Sequence, residues 1–224
     1  MPESPTFQPD CRRCPRLAQY LDEVKTAYPD YYTRPVPPFG ATPARLLVVG
    51  LAPGMHGANR TGRPFTGDFA GILLYQTLHK FGLASHSESI AHGDGLILSN
   101  CRITNAVKCL PPANKPDTSE IRQCNRYLKN ELTQFVGQGG KAILALGGVA
   151  HRAIVMALGI KSTIFPFGHG AVHQLDNDLW LYDSYHCSRY NTQTKRLTAE
   201  MFEQIFMRIG EDFGQESAES SFRF

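Results

Sequence analysis

Short apolar runs alternate with longer amphipathic segments along the chain. Four of these runs have the length and continuous apolarity of buried strands: 46–49, 103–107, 141–146 and 180–182. Five segments space their apolar residues three and four positions apart and are predicted helices: 15–24, 69–81, 118–135, 148–158 and 198–209. Strands that alternate with helices predict an α/β fold, in which a parallel sheet is covered by helices on both faces.

The segment between the first predicted strand and its helix is rich in residues that turn the backbone. It holds five glycines and two prolines, and among them stand His56, Arg60, Arg63, Phe65 and Asp68. Open α/β sheets bind their ligands beside the carboxyl ends of the strands. The sequence therefore predicts a ligand site in this loop.

Size, composition and charge restrict the class of protein. The chain has 224 residues, 42% of them hydrophobic and 19% charged, and a net charge of +3. We expect one domain spanning residues 1–224, with 1–9 and 214–224 as mobile tails. The mild basicity permits nucleic-acid binding without requiring it. Because there is no membrane-length apolar run and no signal-peptide pattern, we expect a cytoplasmic protein. We also expect a monomer.

Four of the six cysteines form a candidate metal site. Cys11 and Cys14 make a Cys-x-x-Cys turn, and Cys109 and Cys124 lie farther along the chain. Disulfides are rare in cytoplasmic proteins, which leaves metal ligands or buried, inert thiols. Zinc and an iron–sulfur cluster both suit four sulfurs, and the spacing does not separate them.

Three ordered motifs resemble those of the uracil-DNA glycosylase superfamily, and most of all its type-B branch (family five). They read GLAPG…GRPFTGD at 50–68, ITNAVKCLPPANKP at 103–116 and YHCSRYNT at 185–192. The resemblance covers roughly residues 11–206. It implies a three-layer fold around a central four-stranded parallel sheet. It also implies a DNA-repair enzyme that hydrolyses the N-glycosidic bond of uracil, and of other deaminated bases such as hypoxanthine or xanthine, leaving an abasic site.

The same resemblance implies a cofactor. It assigns a [4Fe–4S] cluster to Cys11, Cys14, Cys109 and Cys124 and makes zinc the second choice. Such a cluster would tie the N-terminal helix to the proline-rich loop after Cys109. Cys101 and Cys187 are left free, and we expect Cys101 to face the core.

The resemblance gives the motif residues roles in base excision. Gly50 and Gly54 let the backbone approach a flipped nucleotide, and Phe65 stacks on its base. Asn105 hydrogen-bonds the base edge, and His186 stabilises the departing base anion. The acid that other branches carry just after Gly50 is absent, because Leu51 and Ala52 are apolar.

Asp68 is the nearest acid in the motif, and the resemblance makes it the candidate for the catalytic carboxylate. It precedes the predicted helix at 69–81, so it is equally suited to cap that helix. Both roles are compatible, although a capping carboxylate is less free to meet a sugar. His56 and Asn59 are secondary candidates for positioning water.

Basic and polar residues near the motifs are candidates for gripping DNA phosphates. They are Arg60, Arg63, Ser188, Arg189, Asn191 and Lys195. One residue beside them departs from the family pattern. The family has His-Pro-Ser where this chain has His186, Cys187 and Ser188. Cysteine is expected to loosen the loop and to add an oxidisable thiol beside the site.

Two other classes of function compete with the glycosylase. One is a noncatalytic module that binds damaged or single-stranded DNA and keeps a structural iron–sulfur cluster. The other is a redox protein that uses the cluster for electron transfer. The joint presence of Phe65, Asp68, Asn105 and His186 favours the enzyme.

Overall fold

A computed structural model of the chain describes residues 6–176 and 178–217, with side chains as far as Phe213. Its six strands are β1 (Phe39–Gly40), β2 (Leu46–Gly50), β3 (Cys101–Asn105), β4 (Ala142–Leu146), β5 (Val172–Asp176) and β6 (Leu179–Ser184). Its α-helices are α1 (Pro15–Ala27), α2 (Ala58–Thr61), α3 (Phe69–Lys80), α4 (Thr118–Gly137), α5 (Gly148–Ala157), α6 (Arg189–Gln193) and α7 (Ala199–Ser217).

The strands form one mixed sheet in the order β1-β3-β2-β4-β6-β5. Strands β3, β2, β4 and β6 pair in parallel, whereas β1 and β5 pair antiparallel at the two edges. The expectation of a four-stranded, all-parallel sheet is therefore incomplete. The edge strands escaped prediction because β1 has two residues and β5 is a half-exposed segment of mixed polarity.

Helices cover both faces of this sheet. Successive residues of β2 point to opposite faces, and all five are buried, which explains the continuous apolar run. On one face Leu46 and Val48 pack in a cluster with residues of α3 and α7. On the other, Leu47 and Val49 pack with residues of α4 and α5. The α/β class is confirmed.

Helix starts follow the capping residues of the sequence. The Asp68 carboxylate caps α3 by accepting a hydrogen bond from the Gly71 N–H. Asp117 and Glu120 form a capping box at the start of α4. Two short helices, α2 and α6, were not predicted, because segments of four and five residues are too short to show a helical period.

A ring contact and a helix extend into the segments predicted as tails. Residues 1–5 and 218–224 lie outside the described residues. Phe7, inside the predicted N-terminal tail, meets the Tyr127 ring edge-on, with the ring centroids 6.1 Å apart. At the other end, α7 continues to Ser217, past the expected boundary at Phe213.

The parallel register brings the carboxyl ends of four strands to the same edge. Gly50 ends β2 directly opposite Asn105, which ends β3. Leu146 ends β4 opposite Ser184, which ends β6. The loops that carry the sequence motifs leave the sheet at this edge. None of the helices in the described part of the chain combines the length and hydropathy needed to span a bilayer.

Candidate active site

The loops after β2, β3 and β6 enclose a cleft of about 390 Å³ at the carboxyl edge of the sheet. Its walls contain Leu51, Ala52, Gly54, Ala58, Phe65, Asp68, Ala70, Asn105, Asn114, His186, Ser188 and Arg189. The cleft thus brings together the four side chains that the sequence singled out for chemistry, although they come from three separate parts of the chain: the loop after β2, the end of β3 and the loop after β6.

Gly50 lies under the floor of this cleft, where a side chain has no room. A Cβ atom there would stand 2.5 Å from Asn105 Oδ1 and 2.6 Å from the Phe65 ring. Both contacts are far inside van der Waals distance. Glycine at this position therefore allows Asn105 and Phe65 to approach each other over the end of β2.

Phe65 is held in a backbone conformation that aromatic residues rarely adopt. Its φ angle is +55°, in the left-handed region. The neighbouring Pro64 carbonyl accepts a 2.8 Å hydrogen bond from the Tyr75 hydroxyl, and Gly71 leaves room for the Phe65 carbonyl against α3. Such strain persists where the surroundings enforce it, commonly at functional sites. The Phe65 ring faces His186, with centroids 6.0 Å apart and planes 30° from parallel.

Asn105 presents an unpaired hydrogen-bond acceptor in the cleft. The residue is 2% exposed, and its Oδ1 atom has no partner within the described residues. An unsatisfied buried acceptor costs about 1–3 kcal/mol. A ligand that brings an N–H group to this atom would recover that free energy.

The two oxygens of Asp68 lie in different surroundings. Oδ1 accepts a hydrogen bond of 2.8 Å from the Gly71 N–H, whereas Oδ2 lies 3.6 Å from the position a Cβ on Gly54 would occupy. Burial raises the pKa of the carboxyl, and the backbone N–H groups of Gly71 and Ala70 oppose the rise. Asp68 therefore caps α3 and lines the cleft at once, and a raised pKa suits a group that accepts a proton.

His186 is neutral near pH 7. Burial lowers the pKa of its imidazole to about 4, since the charged form is poorly solvated there. The Asn191 side-chain amide donates a 2.8 Å hydrogen bond to the His186 carbonyl, which fixes the loop after β6. A neutral ring in this position is able to donate one N–H to a ligand.

Cys187 does not have the exposed thiol that the sequence suggested. It is fully buried and belongs to the hydrophobic cluster on the α3 and α7 face of the sheet. Burial raises the pKa of this thiol far above its ordinary range, and the charge of nearby Asp68 adds to the rise. A buried thiol in its protonated form is a poor nucleophile and is sheltered from oxidants.

The candidate DNA contacts differ in exposure. Arg60, Arg189 and Lys195 are exposed, whereas Ser188 and Asn191 are half-buried. Ser188 caps α6 by accepting from the Asn191 N–H. The first three residues are accessible to phosphates, and the other two also shape the loop that carries His186.

Arg63 lies in the interior, which contradicts its predicted contact with phosphate. Its side chain is 2% exposed, and its guanidinium lies 2.5 Å from the Asp94 carboxylate. It also donates hydrogen bonds to Ser89 Oγ at 2.6 Å and to Thr66 Oγ1 at 2.9 Å. Arg63 therefore fastens the glycine-rich loop to the segment around Asp94.

The four predicted ligand cysteines line one small pocket between α1, α4 and the loop after β3. Leu17, Val107 and Tyr127 give the pocket apolar walls. Cys124 Sγ accepts a hydrogen bond of 3.3 Å from the Lys108 N–H. The pocket joins four sulfurs that are distant in sequence. As predicted, Cys101 is buried in the core.

Two residues that received no role from the sequence lie in the cleft wall or directly after it in the chain. Asn114 lines it, and both Asn114 and the preceding Ala113 have left-handed φ angles, of +55° and +52°. Tyr190 follows Arg189 on α6 and is 70% exposed. For Asn114 the available signal was an asparagine within a proline-rich turn. For Tyr190 there was no signal, because exposure depends on the tertiary structure.

Over most of its length the chain is similar to uracil-DNA glycosylases. The family model described as the uracil DNA glycosylase superfamily matches residues 37–210. A type-5 uracil-DNA glycosylase of Thermus thermophilus is 47% identical over 88% of this chain and 91% of its own. One from Pyrobaculum aerophilum is 41% identical, covering 92% and 90%. A type-4 uracil-DNA glycosylase of Archaeoglobus fulgidus is 28% identical, covering 92% and 89%.

Proposed function

The chain belongs to the uracil DNA glycosylase superfamily, and from that premise we propose that it removes uracil from DNA by hydrolysing the N-glycosidic bond. The products are free uracil and an abasic site, as in base excision repair. The relatives named type-5 uracil-DNA glycosylases support this activity. The observation that carries the proposal is that one cleft holds Phe65, Asp68, Asn105 and His186.

Base binding falls to Phe65 and Asn105. A base turned out of the duplex would stack on the Phe65 ring, a contact worth roughly 1–3 kcal/mol. The unpaired Oδ1 of Asn105 accepts the N–H that uracil carries between its two carbonyls. Cytosine has an unprotonated nitrogen at that place and would leave Asn105 unsatisfied, which gives a physical basis for discrimination.

His186 stabilises the departing base. As the C1′–N bond breaks, its electron pair moves to the base and negative charge grows on the base oxygens. Neutral imidazole donates a hydrogen bond to one of these oxygens. Because the donor is fixed by the loop before bond cleavage begins, the interaction favours the transition state over the ground state.

Asp68 acts on the sugar and on the attacking water. Loss of the base leaves positive charge at C1′, to which a water molecule adds its oxygen while losing a proton. The Oδ2 atom, which is not the acceptor of the Gly71 hydrogen bond, would accept that proton or stabilise the sugar cation electrostatically. Asp68 would thereby take the place of the acid that is absent at Leu51 and Ala52.

We extend the proposal to other deaminated bases. Hypoxanthine and xanthine, like uracil, carry an N–H beside a carbonyl, so they satisfy the same Asn105 acceptor. The apolar Leu51 and Ala52 line the cleft without adding a hydrogen-bonding requirement of their own. Guanine and thymine share the N–H edge, which makes them the informative normal bases to test.

We also propose that Cys11, Cys14, Cys109 and Cys124 hold a structural [4Fe–4S] cluster that ties α1 to the loop after β3. The four cysteines line one pocket with apolar walls. Four thiolates satisfy the ligand count of a [4Fe–4S] cluster as well as that of zinc, and the resemblance of the motifs favours the cluster.

The cluster has a direct test. Protein purified without oxygen should be brown and carry about four irons, and Cys124→Ser should lose both the colour and stability. Colourless protein that contains one equivalent of zinc would reject the cluster in favour of zinc. Protein with neither metal would return the four cysteines to buried, inert thiols.

A panel of substrates tests the activity. Duplexes carrying uracil, hypoxanthine, xanthine, guanine or thymine are incubated with the holoprotein, and abasic sites are counted by strand cleavage in alkali. We expect rapid release of uracil, slower release of the other two deaminated bases, and intact guanine and thymine. Tight binding of the uracil duplex without any cleavage would instead indicate a noncatalytic damage-binding module.

A further inference from the structure

Three rings lie together beside the turn that carries Gly54 and Ala58 of the cleft wall: Tyr28 and His56 are exposed and Tyr31 is half-buried. No step described above uses the two tyrosines. Tyr28 and Tyr31 stack with ring centroids 4.7 Å apart and planes 20° from parallel. The His56 ring meets both edge-on, at 5.6 Å and 6.0 Å. Tyr28 is 37% exposed, and His56 and Arg60 are exposed as well. We call Tyr28, Tyr31, His56 and Arg60 the tyrosine face.

Hydrogen bonds fasten the tyrosine face to α2. The Tyr31 hydroxyl and His56 Nδ1 share one of 2.9 Å, and Arg60 Nε donates one of 2.7 Å to the His56 carbonyl. The backbone N–H of Tyr32 donates to the Arg60 carbonyl at 3.0 Å. The rings are therefore positioned before any ligand arrives, which lowers the entropic cost of binding.

The tyrosine face adjoins the cleft through the turn at residues 54–58. Gly54 and Ala58, which flank His56 in sequence, both line the cleft. A strand whose base enters the cleft therefore passes within a few nucleotides of the exposed rings. This continuity connects the face with the substrate of the cleft.

The charges around the face favour an anionic partner. Arg34 and Arg60 are exposed and have no ion pair among the described residues, and exposed Lys25 donates hydrogen bonds to the carbonyls of Pro29 and Tyr31. Asp30 is the one acidic residue between Tyr28 and Tyr31 in sequence. Stacking rings beside cations form the usual platform for single-stranded nucleic acid.

We propose that the tyrosine face binds unpaired nucleotides flanking the uracil, on the strand that enters the cleft. In a duplex the base faces are stacked inside the helix and cannot meet an outer ring, so the partner is single-stranded DNA. This inference rests on the proposed function for the identity of the cleft ligand. It predicts that uracil beside unpaired nucleotides is the preferred substrate.

The test compares Tyr28→Leu/Tyr31→Leu with Ile97→Ala, a substitution at a residue that is 65% exposed and outside the cleft wall. Fluorescence anisotropy measures the affinity for a uracil-free oligothymidylate. The release assay gives KM and kcat for uracil in single-stranded DNA and in duplex DNA. We expect the double variant to bind the oligonucleotide roughly tenfold more weakly, in line with the loss of one stacked base. KM should rise on single-stranded DNA alone, with kcat retained.

Ile97→Ala should bind like the wild type, whereas Tyr31→Phe, which keeps the ring and removes the hydroxyl that bonds His56 Nδ1, should bind more weakly than the wild type and more tightly than the double variant. Equal losses on single-stranded and duplex DNA, or no loss in the double variant, would overturn the inference. If the wild type releases no uracil while the double variant still loses oligonucleotide binding, the face stands and the glycosylase activity fails. If the double variant releases uracil normally and binds the oligonucleotide as the wild type does, the activity stands and the role of the face fails.

Discussion

Two pairs of histidine and aspartate in this protein have opposite surroundings. In the cleft, burial lowers the pKa of His186 to about 4 and raises that of Asp68. In the interior, His151 Nδ1 lies 2.8 Å from Asp183 Oδ1, and its Nε2 lies 2.8 Å from the Phe165 carbonyl. Although burial lowers the pKa of His151, the hydrogen bond and charge of Asp183 raise it overall.

The difference shows which polar groups hold the fold and which await a ligand. Both nitrogens of His151 face oxygen atoms that only accept, an arrangement that favours the protonated ring between α5, β6 and the loop before β5. In the cleft Asn105 Oδ1 lacks a partner in the described residues, and the His186 loop bonds through its backbone carbonyl. Other buried atoms, such as Glu131 Oε1, also lack a partner among the described residues, but Asn105 Oδ1 belongs to a residue of the cleft wall, where a ligand can reach it.

The largest expected effect is on the chemistry of the cleft. His186→Ala should lower the single-turnover rate of uracil release by about 100- to 1,000-fold, the range for loss of one donor to a developing anion. The free energy of unfolding should change by less than about 1 kcal/mol, because the substitution leaves no buried partner of the ring unpaired. Quenched single-turnover reactions measure the rate of uracil release, and urea unfolding measures the free energy of unfolding. A stability loss matching the rate loss would assign His186 to the scaffold instead.

Breaking the interior pair should have the opposite signature. Asp183→Asn removes the hydrogen bond and the charge that raise the pKa of His151, and breaking a buried pair of this kind destabilises by about 3 kcal/mol. At a temperature where the variant is still folded, its rate of uracil release should stay within a few-fold of the wild type. Calorimetry and the release assay check this, with Asp178→Asn, at an exposed acid, as the control. A folded, stable variant without activity would contradict the division between the two pairs.

A smaller effect concerns pH. The pKa of His151 is raised in the folded state, so its protonation stabilises the fold below the ordinary pKa of histidine, about 6.5. That contribution is lost as pH rises through the folded pKa. Urea unfolding from about pH 6.5 upward should show the free energy of unfolding falling as pH rises. His151→Gln should flatten that slope. An unchanged slope in the variant would show that other groups cause it.

Local pattern predicted the elements that depend on neighbouring residues. The apolar run in β2 and the carboxylate before α3 are examples, since burial on both faces and helix capping leave a signature in adjacent positions. The resemblance of the motifs supplied Phe65, Asn105 and His186, which share the cleft with Asp68.

Features set by distant partners were not predictable in this way. Arg63 was assigned to phosphate because its partner Asp94 lies 31 residues along the chain, and His151 and Asp183 are separated by 32. The strand β5 depends on its pairing with β6 more than on its own half-exposed residues. Cys187 was misjudged because its burial depends on packing with residues from other elements.

The most direct test of the proposed chemistry follows free uracil by mass spectrometry. The holoprotein is mixed in excess with a duplex that carries one uracil, and free base and abasic sites are counted over time. We predict that both rise together until one uracil is released per duplex, and that the Asn105→Ala/His186→Ala protein binds the duplex but releases almost none. A wild-type protein that binds the duplex and releases no free uracil would contradict the proposed hydrolysis.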